Sequence, residues 1–318
     1  METTAREPAI AVARPVAKTA KRRRHDEPTL LRQVLLQVLC LVVLATVLFP
    51  IIWVFSVSLD PLNRSRPEGL SLIPSGATFE SYEQVLQQPT NNPISFLNLL
   101  LNSLKVSLGT ALISVMIGVF AAYAFSRLRF RGRAPLMLVI LAVLMLPTVA
   151  TLVPLFVLLN SIQVDLPLLG QFNLRQSLIG VGLAIVSGLL PFAIWNMKGY
   201  LDTIPRDLEE AAFVDGADIH QTFLRIILPL SMPALAVTAF LGFIAGWTEF
   251  YFTSTFLSGT VENHTLALAL NSMRGNFAST PWSAFSAFAI LVAVPPAIVY
   301  LFAQRWITSG LAIGAVKG

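Results

Sequence analysis

Long apolar runs separated by short polar stretches dominate this chain. The runs cover about residues 30–59, 98–125, 135–159, 177–197, 230–252 and 282–302. Each has the roughly 20 residues that a helix needs to cross a bilayer, and none shows the roughly 10-residue alternation of a barrel strand. In lipid every backbone amide must be paired internally, so the pattern predicts an all-α integral membrane protein of six transmembrane helices. Pro147 and Pro154 interrupt the third run, which a bundle tolerates where neighbours re-pair the freed carbonyls. The first run is longer than the core of a signal peptide, about 7 to 15 residues, and no small-x-small cleavage site follows it. It reads as an uncleaved span.

Composition agrees with the pattern. Of 318 residues 55% are hydrophobic and 12% are charged, with a mean hydropathy of +0.71; soluble domains carry about 25% charge. The polar segments divide the chain into a basic tail without apolar periodicity (1–29), a membrane domain (30–305) and a C-terminal tail (306–318). External loops are expected at 60–97, 161–176 and 253–283, and a cytoplasmic loop at 201–229. Lysine and arginine set this orientation. Of the 22 such residues, only Arg64, Arg66, Arg175 and Arg274 fall in the three external loops, with Lys105 near the outer end of the second run. Lys21-Arg22-Arg23-Arg24 and the arginines at 127, 129, 131 and 133 lie on the other side, so both termini are expected in the cytoplasm. The net charge of +5 then suits an anionic lipid surface, and no nucleic-acid partner is expected. Cys40 is the single cysteine and His25, His220 and His264 share no ligand spacing, so neither an internal disulfide nor a metal site is expected.

The 201–229 loop has chemistry of its own. Connections between bundle helices are usually about 2 to 8 residues, and this one is far longer. Pro205 suits a helix's first turn, Asp207, Glu209 and Glu210 suit its positive end, and Gly216 is the residue expected to stop it. Asp218 then caps a second short helix running to Pro229. Two short helices with a bend at Gly216 result. Ala211, Ala212 and Ala217 let a partner's backbone approach, and Phe213 and Phe223 supply aromatic knobs.

Glu210-Ala211-Ala212, Asp215-Gly216-Ala217, Phe223, Ile226, Leu228-Pro229 and Pro233 resemble, position for position, the EAA loop of the permease subunits of binding-protein-dependent ABC importers. The resemblance implies that this loop is the coupling element seated in a cleft of an ATPase subunit. The end of the chain, Gln304-Arg305-Trp306 and Gly310 to Gly318, resembles the tail of MalG-type permeases of maltose and oligosaccharide importers. Gly310, Gly314, Val316 and Gly318 would then lie between two ATPase subunits. The family implies a type I importer (MetI-like) fold in a prokaryotic inner membrane. Its expected partners are a homologous MalF-type permease, two ATPase subunits, and an extracytoplasmic sugar-binding protein. Within the outer loop Leu257–Thr280, the resemblance gives Gly259, Asn263, Asn271 and Gly275 to the binding protein. No cofactor is expected on this chain, ATP and Mg belonging to the ATPase.

Candidate pathway residues are Trp195, Asn196, Trp247 and Glu249. Glu249 is the only acid placed within a run, and charge at such depth is costly unless it faces a cavity or partner. Trp195 and Asn196 offer the aromatic and amide chemistry that sugar hydroxyls bind. No G-x-x-x-x-G-K-[ST] occurs, so the chain is not expected to hydrolyse ATP itself. The alternative is an ion-coupled secondary sugar transporter, which usually shows internal repeats and several intramembrane carboxylates. The sequence has no evident repeat and one such carboxylate.

Overall fold

The computed structural model describes residues 30–62, 73–166, 170–276 and 279–315. The 1–29 tail, Val316 and Gly318 lie outside the described residues. The elements are α1 (Leu30–Ser58), α2 (Glu80–Gln87), α3 (Phe96–Arg127), α4 (Arg133–Val143), α5 (Leu152–Ser161), β1 (Gln163–Leu166), β2 (Gly170–Asn173), α6 (Leu178–Leu201), α7 (Asp207–Val214), α8 (Ile219–Thr222), α9 (Leu228–Leu230), α10 (Met232–Trp247), α11 (Tyr251–Phe256), α12 (Leu266–Ser272) and α13 (Trp282–Ala315). Among the described residues, helices α1, α3, α6 and α13 are each long and apolar enough to cross a membrane, and counting each of two bent pairs as one span gives six.

Proline decides where the bends fall. Between α4 and the helical stretch Thr148–Ser161 the axis turns by 100°. Pro147 has no N–H to continue the ladder and pushes Leu146 out of helical geometry, so the third span is broken into two arms. Between Ile219–Leu230 and α10 the turn is 73°, at Pro229, Ser231 and Pro233. The fifth run differs from its sequence expectation: α10 ends at Trp247, and a separate short helix, α11, begins at Tyr251. The loop between α5 and α6 holds an antiparallel hairpin in which Gln163 pairs with Asn173 and Leu166 with Gly170. At the C-terminus α13 runs on through Ala315, so the backbone of Gly310 and Gly314 is helical.

Residues from Leu30 to Pro50 belong to a unit of their own, and none of their side chains is buried. An apolar helix in that condition needs lipid or another protein around it.

In the unit that begins at Ile51, α3 is the central helix. Ser95 caps it, its Oγ accepting from the Asn98 N–H at 3.3 Å. One stripe along α3 is buried and small or polar: Asn102, Ser103, Ser107, Thr110, Ala111, Ser114, Gly118 and Ala122. Small residues let helices approach closely in lipid, where no hydrophobic gain drives them together. On α10 the facing pair is Gly242 and Gly246, one turn apart. A Cβ at Gly242 would sit 2.9 Å from the Ala111 Cα, and one at Gly246 would sit 2.7 Å from the Ser107 Cα. Either methyl would collide with backbone.

α10 also repairs α13. Pro296 lacks the N–H that would reach back to the Val292 carbonyl, and the Trp247 indole Nε1 donates to that carbonyl at 3.1 Å. Trp247 is buried and stacks on Phe243 with ring centroids 5.5 Å apart.

Gly246→Val is expected to force α10 off α3 and to cost about 1–3 kcal/mol. Ala239→Val, on the same helix, serves as the control. Thermal unfolding of the detergent-solubilised protein measures both, and a Gly246→Val melting temperature equal to the parent's would refute the close approach.

Candidate functional site

The polar connection between α6 and α10 folds as a helical hairpin for local reasons. Asp207, Glu209 and Glu210 lie in the first turn of α7, where the exposed amides favour negative charge. The helix ends at Gly216, whose φ of +85° is accessible to glycine at little cost. Two reverse bonds close this end: Gly216 N–H to Phe213 C=O at 3.1 Å and Ala217 N–H to Ala212 C=O at 2.9 Å. Asp218 then caps α8, its Oδ1 accepting from the Gln221 N–H at 2.7 Å. After α8 the chain makes one π turn, Phe223–Ile227, just ahead of Pro229.

Helical spacing sorts α7 into two faces. Glu210, Phe213 and Val214 share the outward one, and Val214 is 87% exposed. Ala211, Asp215 and Gly216 are exposed beside them, Ala217 is half-buried, and Leu208, Ile219 and Leu224 add further exposed apolar surface. Glu209 and Ala212 face inward and are buried.

The inward face is held by charge. Arg127, at the end of α3, forms an ion pair with Glu209, and both side chains are below a tenth exposed. Arg127 Nη2 also donates to the Ile204 carbonyl at 2.9 Å, and Nη1 donates to Ser126 Oγ at 3.3 Å. The Ser126 hydroxyl donates in turn to Asp202 Oδ1 at 2.6 Å, Arg206 reaches the Ser126 carbonyl at 3.1 Å, and Tyr123 donates to Glu209 Oε2 at 3.5 Å. The guanidinium thus ties α3 to α7, to the segment leading into it, and through Ser126 to the end of α6. Removing one member of such a buried pair typically costs about 3–5 kcal/mol, because the other is left charged and unpaired.

Phe223 requires a correction. It is not a knob for a partner: it is 6% exposed, stacked on Phe120 with centroids 5.4 Å apart and edge-on to Tyr123 at 5.0 Å. With Val119, Ala122, Met197, Leu201, Ile204 and Ile227 it forms the apolar foot on which the hairpin stands. Ile226 and Leu228 are half-buried at this foot, and Pro229 is exposed. Arg127 and Glu209 carry no motif. In sequence Arg127 is one of a run of interfacial arginines and Glu209 one of three first-turn acids. The spacing of Glu209 and Ala212, three residues apart and opposite the exposed face, is the signal that separates Glu209 from Glu210.

The other candidate residues fall into separate places. Asn196 on α6 donates to Thr238 Oγ1 on α10 at 3.2 Å, and with Trp195 and Tyr200 it lines an open cleft of about 400 Å³ at the end of α6. Trp247 does not join them, being buried against Phe243 and committed to Val292. Glu249 has a local role. It stands past the end of α10, and its Oε1 accepts from the Phe252 N–H at 2.7 Å, capping α11. Gly259 and Asn263 lie beside Gln176, whose carbonyl accepts from Asn263 Nδ2 at 3.0 Å. Gly275, beyond α12, lines a polar cleft of about 600 Å³ with Gln84, Gln88, Asn91, Asn92 and Arg274, and Asn271 is half-buried on α12. Burial holds the His264 imidazole below its ordinary range, against the opposing pull of the Leu257 backbone and the Glu262 carboxylate.

The fold and this site define a polytopic helical membrane protein that presents a structured hairpin between two of its spans. The chain belongs to the family of binding-protein-dependent transport system inner membrane components, whose sequence profile matches residues 114–313. It is 35% identical over 272 residues to the galactooligosaccharides transport system permease protein GanQ of Bacillus subtilis, covering 86% of this chain and 91% of that one. It is 37% identical over 288 residues to the maltose/maltodextrin transport system permease protein MalG of Escherichia coli K12, covering 88% and 94%. The fold matches a chain in the crystal structure of a bacterial ABC transporter that imports the acidic polysaccharide alginate, with a TM-score of 0.67, 23% identity, and coverage of 86% and 95%.

Two outcomes follow from this geometry. Phe223→Ala is expected to destabilise the protein by about 3–5 kcal/mol and Phe213→Ala by less than about 0.5 kcal/mol, read from thermal unfolding. A depressed His264 pKa means that the neutral ring stabilises the fold above the unfolded pKa of about 6.5, and that this contribution is lost as pH falls below it. Amide exchange in 257–266, corrected for its intrinsic pH dependence, should show protection falling between about pH 7 and pH 5.

Proposed function

We propose that this chain is the sugar-conducting permease subunit of an ATP-driven importer, and that the α7–α8 hairpin is where a separate ATPase subunit docks. The observation that carries the reading is the two-sided hairpin. One face is locked into the bundle by Arg127–Glu209 and the other presents Glu210, Phe213 and Val214 uncovered by any of the described residues. Exposed apolar side chains on a structured, membrane-proximal element suit a protein partner. Within the hairpin, Ala211, Ala212, Asp215, Gly216 and Ala217 act by shaping its bend and close approach, and Phe223, Ile226, Leu228 and Pro229 by supporting it from below.

The relatives' names support an oligosaccharide as cargo. The arginines at 127, 129, 131 and 133 support a cytoplasmic hairpin with both termini on that side. ATP and Mg would be held by two ATPase subunits, with Gly310, Gly314, Val316 and Gly318 extending toward them. A sister permease would complete the passage, and a sugar-binding protein would deliver cargo at the opposite face near Gly259, Asn263, Asn271 and Gly275. Trp195 and Asn196, at the cytoplasmic end of α6, are the pathway candidates that line a cleft, and Glu249 stays a candidate beside α11.

Val214→Asp and Glu210→Lys are expected to leave the permease folded and inserted while lowering co-purification of the ATPase and ATP-driven maltodextrin uptake by proteoliposomes about tenfold or more. Unchanged co-purification in both variants would overturn the docking assignment. Uptake driven by an ion gradient without ATP would overturn the importer reading.

A further inference from the structure

We propose that α3 is a stiff strut linking the docking hairpin to the outer loop, with Arg127 and Asn102 as the positioning residues at its two ends. The inference rests on the docking role given to the hairpin above. Stiffness comes from composition: α1 contains Pro50, α6 contains Pro191 and α13 contains Pro295 and Pro296, and the remaining two spans are bent pairs. Among the described membrane-length helices only α3, 32 residues long, has no internal proline. Sharp helix kinks sit chiefly at proline, at Gly/Ser pairs or at π-bulges; α3 has no proline or π turn and stays one unbroken α-helix through Gly109 and Gly118, which lets it move as one piece. At 1.5 Å per residue the distance from Asn102 to Arg127 is about 38 Å, enough to carry a displacement across a hydrocarbon core of about 30 Å.

Each end is fastened by side chains that bond backbone or a buried charge. At one end Arg127 holds Glu209 and the Ile204 carbonyl, so a pull on α7 is a pull on α3. At the other, Asn102 Nδ2 donates to the carbonyls of Glu262 at 2.7 Å and His264 at 3.0 Å. Its neighbour Ser103 accepts the Leu266 N–H on its Oγ at 2.8 Å. Asn102 and Ser103 are buried, and their bonds hold the segment from Glu262 to the first residue of α12. The amide is chemically specific there: two carbonyls converge on one NH₂ group, which neither a carboxylate nor an aliphatic side chain replaces. The middle of the strut is gripped by α10 through Gly242 and Gly246, so its motion is shared with the bundle. The hairpin and the loop at the far face therefore respond to each other through one rigid element with a directional polar clamp at each end. An ATPase closing on the hairpin would shift α12, and a ligand seated on the outer loop would bias the hairpin.

The test uses the complete transporter in nanodiscs, with Cys40→Ser and Ser272→Cys so that one nitroxide reports on the end of α12. ATP is expected to change the label's spectrum in this parent. Asn102→Ala is expected to reduce that response about fivefold while the ATPase still co-purifies and hydrolyses ATP, and Arg127→Met with Glu209→Leu, made separately, is expected to reduce the response by a similar factor. The apolar pair avoids leaving a buried charge unpaired, and Asn102→Ala tests the opposite end should the first set fold poorly. All three substitutions together should lose no more than either set alone, as expected for one path. A parent label that ignores ATP, a full response in either variant set, or additive losses would each overturn the strut. Failure of the ATPase to co-purify with the parent would instead overturn the docking reading.

Discussion

A backbone in lipid must satisfy its own hydrogen bonds, and a proline in the interior of a membrane helix breaks one. The chain carries many such breaks, and its architecture follows from how each is met. The break at Pro147 becomes the 100° turn between α4 and its continuation. The break at Pro229 is preceded by a π turn and followed by Ser231, which returns its hydroxyl proton to the Ile227 carbonyl. Pro296 is met from another helix by the Trp247 indole. That bond is tertiary, so the shape of α13 depends on α10 being in place. α10 is in place only because Gly242 and Gly246 let it lie against α3.

Charge is used sparingly and at the helix ends. The buried ion pair Arg127–Glu209 joins the bundle to the hairpin, and Ser126 and the Ile204 carbonyl leave the guanidinium well bonded. A pair of this kind adds little net stability compared with apolar packing. What it adds is geometry, because a guanidinium bonded in several directions fixes the angle at which α7 leaves the bundle. The exposed face of α7 is thereby presented in one orientation. A partner docked on the hairpin, as proposed above, would act on the bundle through that fixed presentation.

The candidate pathway residues show how much a side chain's role depends on its neighbours. Trp247 and Glu249 are close in sequence and look alike as signals, an aromatic and an acid near the end of an apolar run. One fills the gap between α10 and α13, and the other caps α11. Trp195 and Asn196 stay at an open cleft at the end of α6.

The sequence by itself determined the number and kind of the spans, the polar segments between them, the family, and the bend of the hairpin at Gly216 with its Asp218 cap. These are short-range properties: apolar run length, helix caps and a left-handed glycine act within a few residues. It carried no sign that Phe223 is the foot of the hairpin, or that Asn102 holds the Glu262–His264 segment, 160 residues further along. Only the tertiary structure decided those, because they depend on which face of each helix meets another. That was settled by the small-residue stripe of α3, along which α6 and α10 come close enough for the remaining side chains to find their partners.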